Sequence, residues 1–128
     1  MDDLALKTAL ASNQEKTRFV QELSDKACQT GVYPASIGPI YHALKRNECA
    51  PMTIPAFNVR GMTYDIARVI WRTAIRLEVG PIIFELAPSE AEVGNQSYEE
   101  YAAVVMAAAA REGWQGPVFL QGDHITVE

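Results

Sequence analysis

Three short stretches of the chain are apolar without a break: "TIPAF" at residues 53–57, "PIIFEL" at 81–86 and "PVFLQ" at 117–121. Continuous rather than alternating runs of this length suit parallel strands covered on both faces. Between them the apolar positions change period. In "TYDIARVIWRTAIRLEVG", Ile66, Val69, Ile70, Ala74 and Leu77 fall on one helical face, with Thr63 placed to cap the start and Gly80 to end it. In "SYEEYAAVVMAAAAREG", Ser97 and Glu100 have capping-box spacing, Tyr101, Val104, Val105 and Ala108 make the apolar stripe, and Gly113 is the stop. Strand, helix, strand, helix, strand predicts a parallel sheet with right-handed crossovers.

The first fifty residues differ. Ser12 and Glu15 again fit a capping box, and Phe19, Val20, Leu23 and Ala27 share a face before Gly31. A short helix opens at Gly38-Pro39 and carries Tyr41 and Leu44, while "TGVYPAS" between the two reads as a loop. The expected division is a helical extension over residues 1–50, laid over an α/β part at 51–128. Two architectures stay open for that part: a doubly wound sheet or a (β/α)₈ barrel, the latter needing eight strands and typically about 250 residues. The third predicted strand would be left as an unprotected edge, since no helix is predicted after it. The expectation is therefore the front piece of something larger.

Composition changes this picture little. With 128 residues, 48% hydrophobic and 21% charged, the chain can bury one domain-sized core. A formal net charge of −5 offers no basic stripe for phosphates, against a nucleic-acid partner. No apolar run approaches the roughly 18 residues that span a bilayer, and "MDDLALKTAL" lacks a basic signal-type start. Cys28 and Cys49 do not have metal-pair spacing and read as free thiols. A cytoplasmic protein without a membrane partner is expected.

In parallel α/β folds functional groups gather at the C-terminal ends of strands. Three places qualify: Asn58, the region from Glu85 to Ser89, and Asp123-His124. A neutral imidazole can ligate a divalent metal, and a carboxylate beside it can act as general acid or base. Adjacent residues on a regular strand point to opposite faces, so both can serve one site only if the chain bends, which Gly122 permits. A surface turn with a solvated histidine would give the same dipeptide. Asn58 also suits a strand-end turn. Glu85, inside an apolar run, needs a partner, for which a Lys or Arg is one candidate. Ser89 and Glu90 also read as the start of a loop, and His42 as solvated. No glycine-rich phosphate loop, nucleophile elbow or zinc-type cysteine pairing is present in the sequence.

Taken in order, "IPAFNVRGMTYDIARVI", "GPIIFELAPSE" and "PVFLQGDH" resemble the opening of a class II, metal-dependent fructose-bisphosphate aldolase. Ala56-Phe57-Asn58 matches an Ala-x-Asn motif, Pro81-Ile82-Ile83 the second strand, and Asp123-His124 the Asp-His pair of the third. The resemblance covers roughly residues 54–124. It implies a zinc-dependent (β/α)₈ TIM barrel, incomplete in this chain, with three strands and two crossover helices present. It implies lyase chemistry on a phosphorylated ketose or triose substrate, and a homo-oligomeric parent. His124 would be one of three zinc-ligating histidines, Asp123 the acid/base at the C4 hydroxyl, and Asn58 and Ser89 substrate contacts. Where many members carry a serine directly after the second strand, this chain has Ala87. One histidine and one aspartate do not make the three protein ligands of a catalytic zinc. The expectation is that the chain alone is inactive; the alternatives are a non-catalytic domain acting through self-association or partner binding, and a complete small α/β domain whose likeness is accidental.

Overall fold

The computed structural model describes residues 1–126. Within them the order is α1 (Asp2–Leu10), α2 (Asn13–Cys28), β1 (Val32–Ala35), α3 (Gly38–Lys45), β2 (Ala56–Asn58), α4 (Thr63–Arg76), β3 (Ile83–Leu86), α5 (Pro88–Gly94), α6 (Tyr98–Arg111) and β4 (Gly116–Gly122). The four strands form one parallel sheet in the order β1-β4-β3-β2. The α/β class and the three predicted strands and two crossover helices are present. Two expectations fail. The segment read as the loop "TGVYPAS" contains β1, and β4 is not an edge, because β1 pairs along it from Val32↔Gly116 to Ala35↔Phe119. The edges are β1 and β2.

Alternation along the strands divides the sheet into two faces. Ile82, Phe84, Leu86 and Val118 pack under α4 and α6, with Trp71, Val105 and Ala108 from the helices. Trp71 sits at the centre, its ring 5.4 Å from Phe84 and 5.0 Å from Trp114. On the opposite face Ile83 and Phe119 lie against Ile37, with Ile40 of α3 and Ile54 at the margin. The connection from β1 to β2 thus crosses one face, and those from β2 to β3 and β3 to β4 cross the other.

The two crossover helices differ in detail from expectation. The inward face of α4 is rotated from the expected one: Ala74 is buried and Ile70 packs on the core as expected, Ala67 and Trp71 join them, and Ile66, Val69 and Leu77 are exposed. Small residues let the helix approach the sheet while the indole fills the space between, a closeness that a stripe of Ile and Val would prevent. Thr63 does not cap α4; it is the first helical residue and its hydroxyl donates to Gln96 Oε1 at 2.8 Å. The chain reverses at Glu78 (φ 51) rather than at Gly80. Helix α6 starts as expected, with Ser97 Oγ accepting from the Glu100 amide at 3.1 Å.

Helix α6 is buried nearly all round because α1 and α2 cover its far side. Leu4, Ala5 and Leu23 meet Ala103, Val104 and Ala107 there, so the alanine run serves close helix–helix packing as well as helix propensity. An ion pair between half-buried Lys16 and buried Glu100, Nζ to Oε2 at 3.1 Å, ties α2 to α6. A second network links the N-terminal helix to the crossover helices: Arg111 and Arg68 reach Asp2, and Arg68 and Arg72 share Glu112. Residues 1–50 therefore join the same sheet and core as the rest. No helix among the described residues is long and apolar enough to cross a membrane. Cys28 and Cys49 are free thiols, as expected.

Candidate functional site

The register brings like positions into rows. Asn58, Glu85 and Gln121 are partners across β2, β3 and β4, and all three follow by two the apolar row of Ala56, Ile83 and Phe119. The row therefore lies on the face away from α4 and α6, at the C-terminal ends of the strands. Glu85, half-buried, accepts a hydrogen bond from Gln121 Nε2 at 2.7 Å. Its partner is thus an amide, and no lysine or arginine pairs with it among the described residues. Partial burial pushes its carboxyl above the ordinary carboxylate range, and the neighbouring charges of Asp123 and Glu90 push the same way.

Beyond the row the segments after β2, β3 and β4 each add a group: Arg60, Glu90 and Asp123. Pro88 starts α5 where a loop was expected, and Glu90 curls back so that its Oε2 accepts the Ala87 amide at 3.0 Å. The same oxygen accepts from Asn58 Nδ2 at 2.9 Å, and Arg60 Nε lies 3.6 Å from the other oxygen. The Ala87 amide and then Asn58 hold the Glu90 carboxyl below its usual range. Asp123 enters from β4. Its amide donates to the Leu86 carbonyl at 3.1 Å, and its Oδ2 accepts the second proton of Asn58 Nδ2 at 3.0 Å. One amide thereby bridges two carboxylates from different strand ends.

The bend expected after Gln121 occurs at His124, which takes a left-handed conformation (φ 51). A Cβ at Gly122 would meet the far end of the exposed Ile125 side chain, which can swing away. His124 Nε2 stands 3.7 Å from Asp123 Oδ1, with 86% of its side chain exposed. Asn58 and Asp123 are therefore brought together, and His124 stands beside them, turned to solvent. Ser89 is exposed on α5, and no hydrogen bond of its side chain joins the cluster among the described residues. His42 is exposed, as expected.

Sequence reasoning missed Gln121 and Arg60, and took Glu90 for a loop residue. Counting by two from Ile83 and Phe119 reaches Glu85 and Gln121, so period and register together would have found the row. The role of Glu90 depends on a helix start that the sequence pattern did not announce. Among the described residues, no group of three or more His, Cys, Asp or Glu side chains is placed to hold a metal ion. The residues present thus do not fit a catalytic zinc by themselves: one imidazole is offered, and Asn58 already engages the nearest carboxylates.

Comparison with protein-family models, with curated proteins and with solved structures finds no match to the chain.

Proposed function

We propose that the chain carries the opening strands of a metal-dependent, class II aldolase-type lyase, with β2, β3 and β4 as the first three strands of a (β/α)₈ barrel. The observation that carries this reading is the meeting of Asn58 and Asp123, 65 positions apart in sequence, at the C-terminal ends of β2 and β4. Active sites of such barrels are assembled at that end from several different strands. Consecutive strands β2, β3 and β4 are also nearest neighbours, with α4 and α6 on one face, the repeat a barrel uses.

In this reading the substrate is a phosphorylated ketose such as fructose 1,6-bisphosphate, cleaved reversibly to dihydroxyacetone phosphate and an aldehyde. Asp123 exchanges a proton with the C4 hydroxyl as the carbon–carbon bond breaks or forms. Asn58 orients that carboxylate and, with Ser89, faces the substrate. Zinc is the cofactor the reading implies and His124 one of its ligands. The other donors are not among the described residues, so no step is assigned through the metal and the chain alone is inactive. A cytoplasmic location and a homo-oligomeric parent belong to the same proposal.

Incubation of the 128-residue chain with fructose 1,6-bisphosphate and added zinc tests it. No cleavage is expected. Once the remaining strands are supplied, Asp123→Asn should lower kcat by about 100-fold or more, the usual worth of a general acid–base. Metal-dependent turnover by the chain alone, or an Asp123→Asn variant of the completed enzyme with undiminished kcat, contradicts the proposal.

A second reading, a non-catalytic domain acting through association, is favoured by one feature. The free edge of β2 borders an apolar groove lined by Phe57, Val69, Ile70 and Val79. Sedimentation velocity over a wide concentration range separates the two: a stable, stoichiometric self-assembly without turnover would favour the second.

A further inference from the structure

We propose that β1 and α3 form an exchangeable strap: β1 occupies the place on β4 that the next strand of a barrel would take, and it opens from the sheet without the rest of the molecule unfolding. The proposal rests on the barrel reading for its purpose, but its physical basis lies in the segment itself.

β4 has a neighbour on each side, β3 and β1. In a barrel of consecutive parallel strands, the flank of β4 away from β3 belongs to the strand that follows β4 in sequence. Here the flank is taken by a strand that precedes the whole series, so closing a barrel through β4 requires β1 to leave. The connection it drags with it, α3, lies on the face of Ile83 and Phe119, which such a barrel would turn inward.

The strap is lightly held. Of the four β1 residues only Val32 is fully buried, and Tyr33 is half exposed. Pro34 faces Val118 in the register, and because the Gly116 amide donates to the Gly31 carbonyl, β1 bonds β4 through its odd-numbered residues and turns the Pro34 nitrogen to the open edge, where β1 has no neighbour. Helix α3 has no fully buried residue; Ile37 ahead of it and Ile40 within it make its apolar contact with the sheet. Left-handed residues bracket the segment, Gly31 (φ 90) before β1 and Asn47 (φ 56) after α3, and these give the chain its turning points. By contrast three of the four β3 residues and nine of the fourteen in α6 are buried. Few buried apolar residues, and a strand paired on one side only, are the features of a unit that opens locally.

Native-state hydrogen exchange on the intact chain tests the strap. Amides of residues 32–47 should exchange on the order of 100-fold or more faster than those of α6 and β3, with little dependence on denaturant. The variant Ile40→Asp should speed exchange in 32–47 further while leaving α6 and β3 protected. If the wild-type segment exchanges only in step with α6, or if Ile40→Asp strips protection from α6 and β3 as well, β1 and α3 belong to one cooperative unit and the strap is overturned. Either result leaves the aldolase reading untouched, because turnover and metal binding test that separately.

Discussion

Asn58 is a single amide whose two protons go to carboxylates from different strand ends, Glu90 and Asp123. Three acidic groups would otherwise repel one another around it, and Glu85 feels that repulsion already. Asn58→Leu should therefore raise the Glu90 carboxyl towards its ordinary range, measurable by NMR titration of the side-chain carboxyl carbon; an unchanged midpoint would mean that Asn58 does not organise the cluster. Glu112 offers a second titration. Hydrogen bonds from Arg72, and then from Arg68, hold its carboxyl down to about 2 from an ordinary 4.5, against the opposing effect of burial. A depressed carboxyl contributes stability that is fully present above the unfolded value and is lost as pH falls through the folded one. The urea midpoint should thus fall between about pH 4.5 and 2, and less steeply in Arg72→Ala. At this scale the sequence was informative about which residues matter and silent about their partners. Asp123 and Asn58 stand out as polar groups at strand ends; Gln121 and Arg60 become visible only when strand register is known.

At the scale of elements, the legible parts were those whose burial is written as an unbroken run. β3 and β4 were found because helices and neighbours enclose them, whereas β2, read from the same kind of run, is an edge strand with all three residues exposed and is not covered on both faces. β1 was missed because Gly31, Pro34 and Ser36 read as turn signals around a run of only four residues. α1 was missed because Leu4, Ala5 and Thr8 make only a narrow buried seam. The inward face of α4 was right at Ile70 and Ala74 and wrong at Ile66, Val69 and Leu77, because periodicity weighs Ile and Val above alanine, whereas close packing here puts Ala67 and Trp71 inward. Trp71→Ala should cost about 3–5 kcal/mol in chemical denaturation, since its ring fills the space between Phe84 and Trp114. A cost below about 1 kcal/mol would mean that the neighbours collapse into the space. The α2–α6 junction makes a different demand. Lys16→Ala leaves Glu100 buried without its ion-pair partner and should cost roughly 3–5 kcal/mol, much of it recovered in the Lys16→Met, Glu100→Leu double variant. Equal stability of the single and double variants would contradict that reading.

For the whole molecule, the sheet's two edges and two faces decide what the chain can become. The face under α4 and α6 is closed by the core. The other is apolar at one end, beneath α3, and polar at the other, where strand ends converge on Asn58. The sequence pattern led to the polar end through Asp123 and His124, but not to the four-stranded order, because the pairing of β1 with β4 joins segments more than eighty residues apart. The central claim is that this polar end is one corner of a metal-dependent site that needs further ligands. Calorimetric titration of the chain with zinc, beside its His124→Ala variant, tests it most directly. Weak heats with no stoichiometric step, the same in both proteins, are the predicted result; a tight one-to-one isotherm that His124→Ala abolishes would contradict the claim.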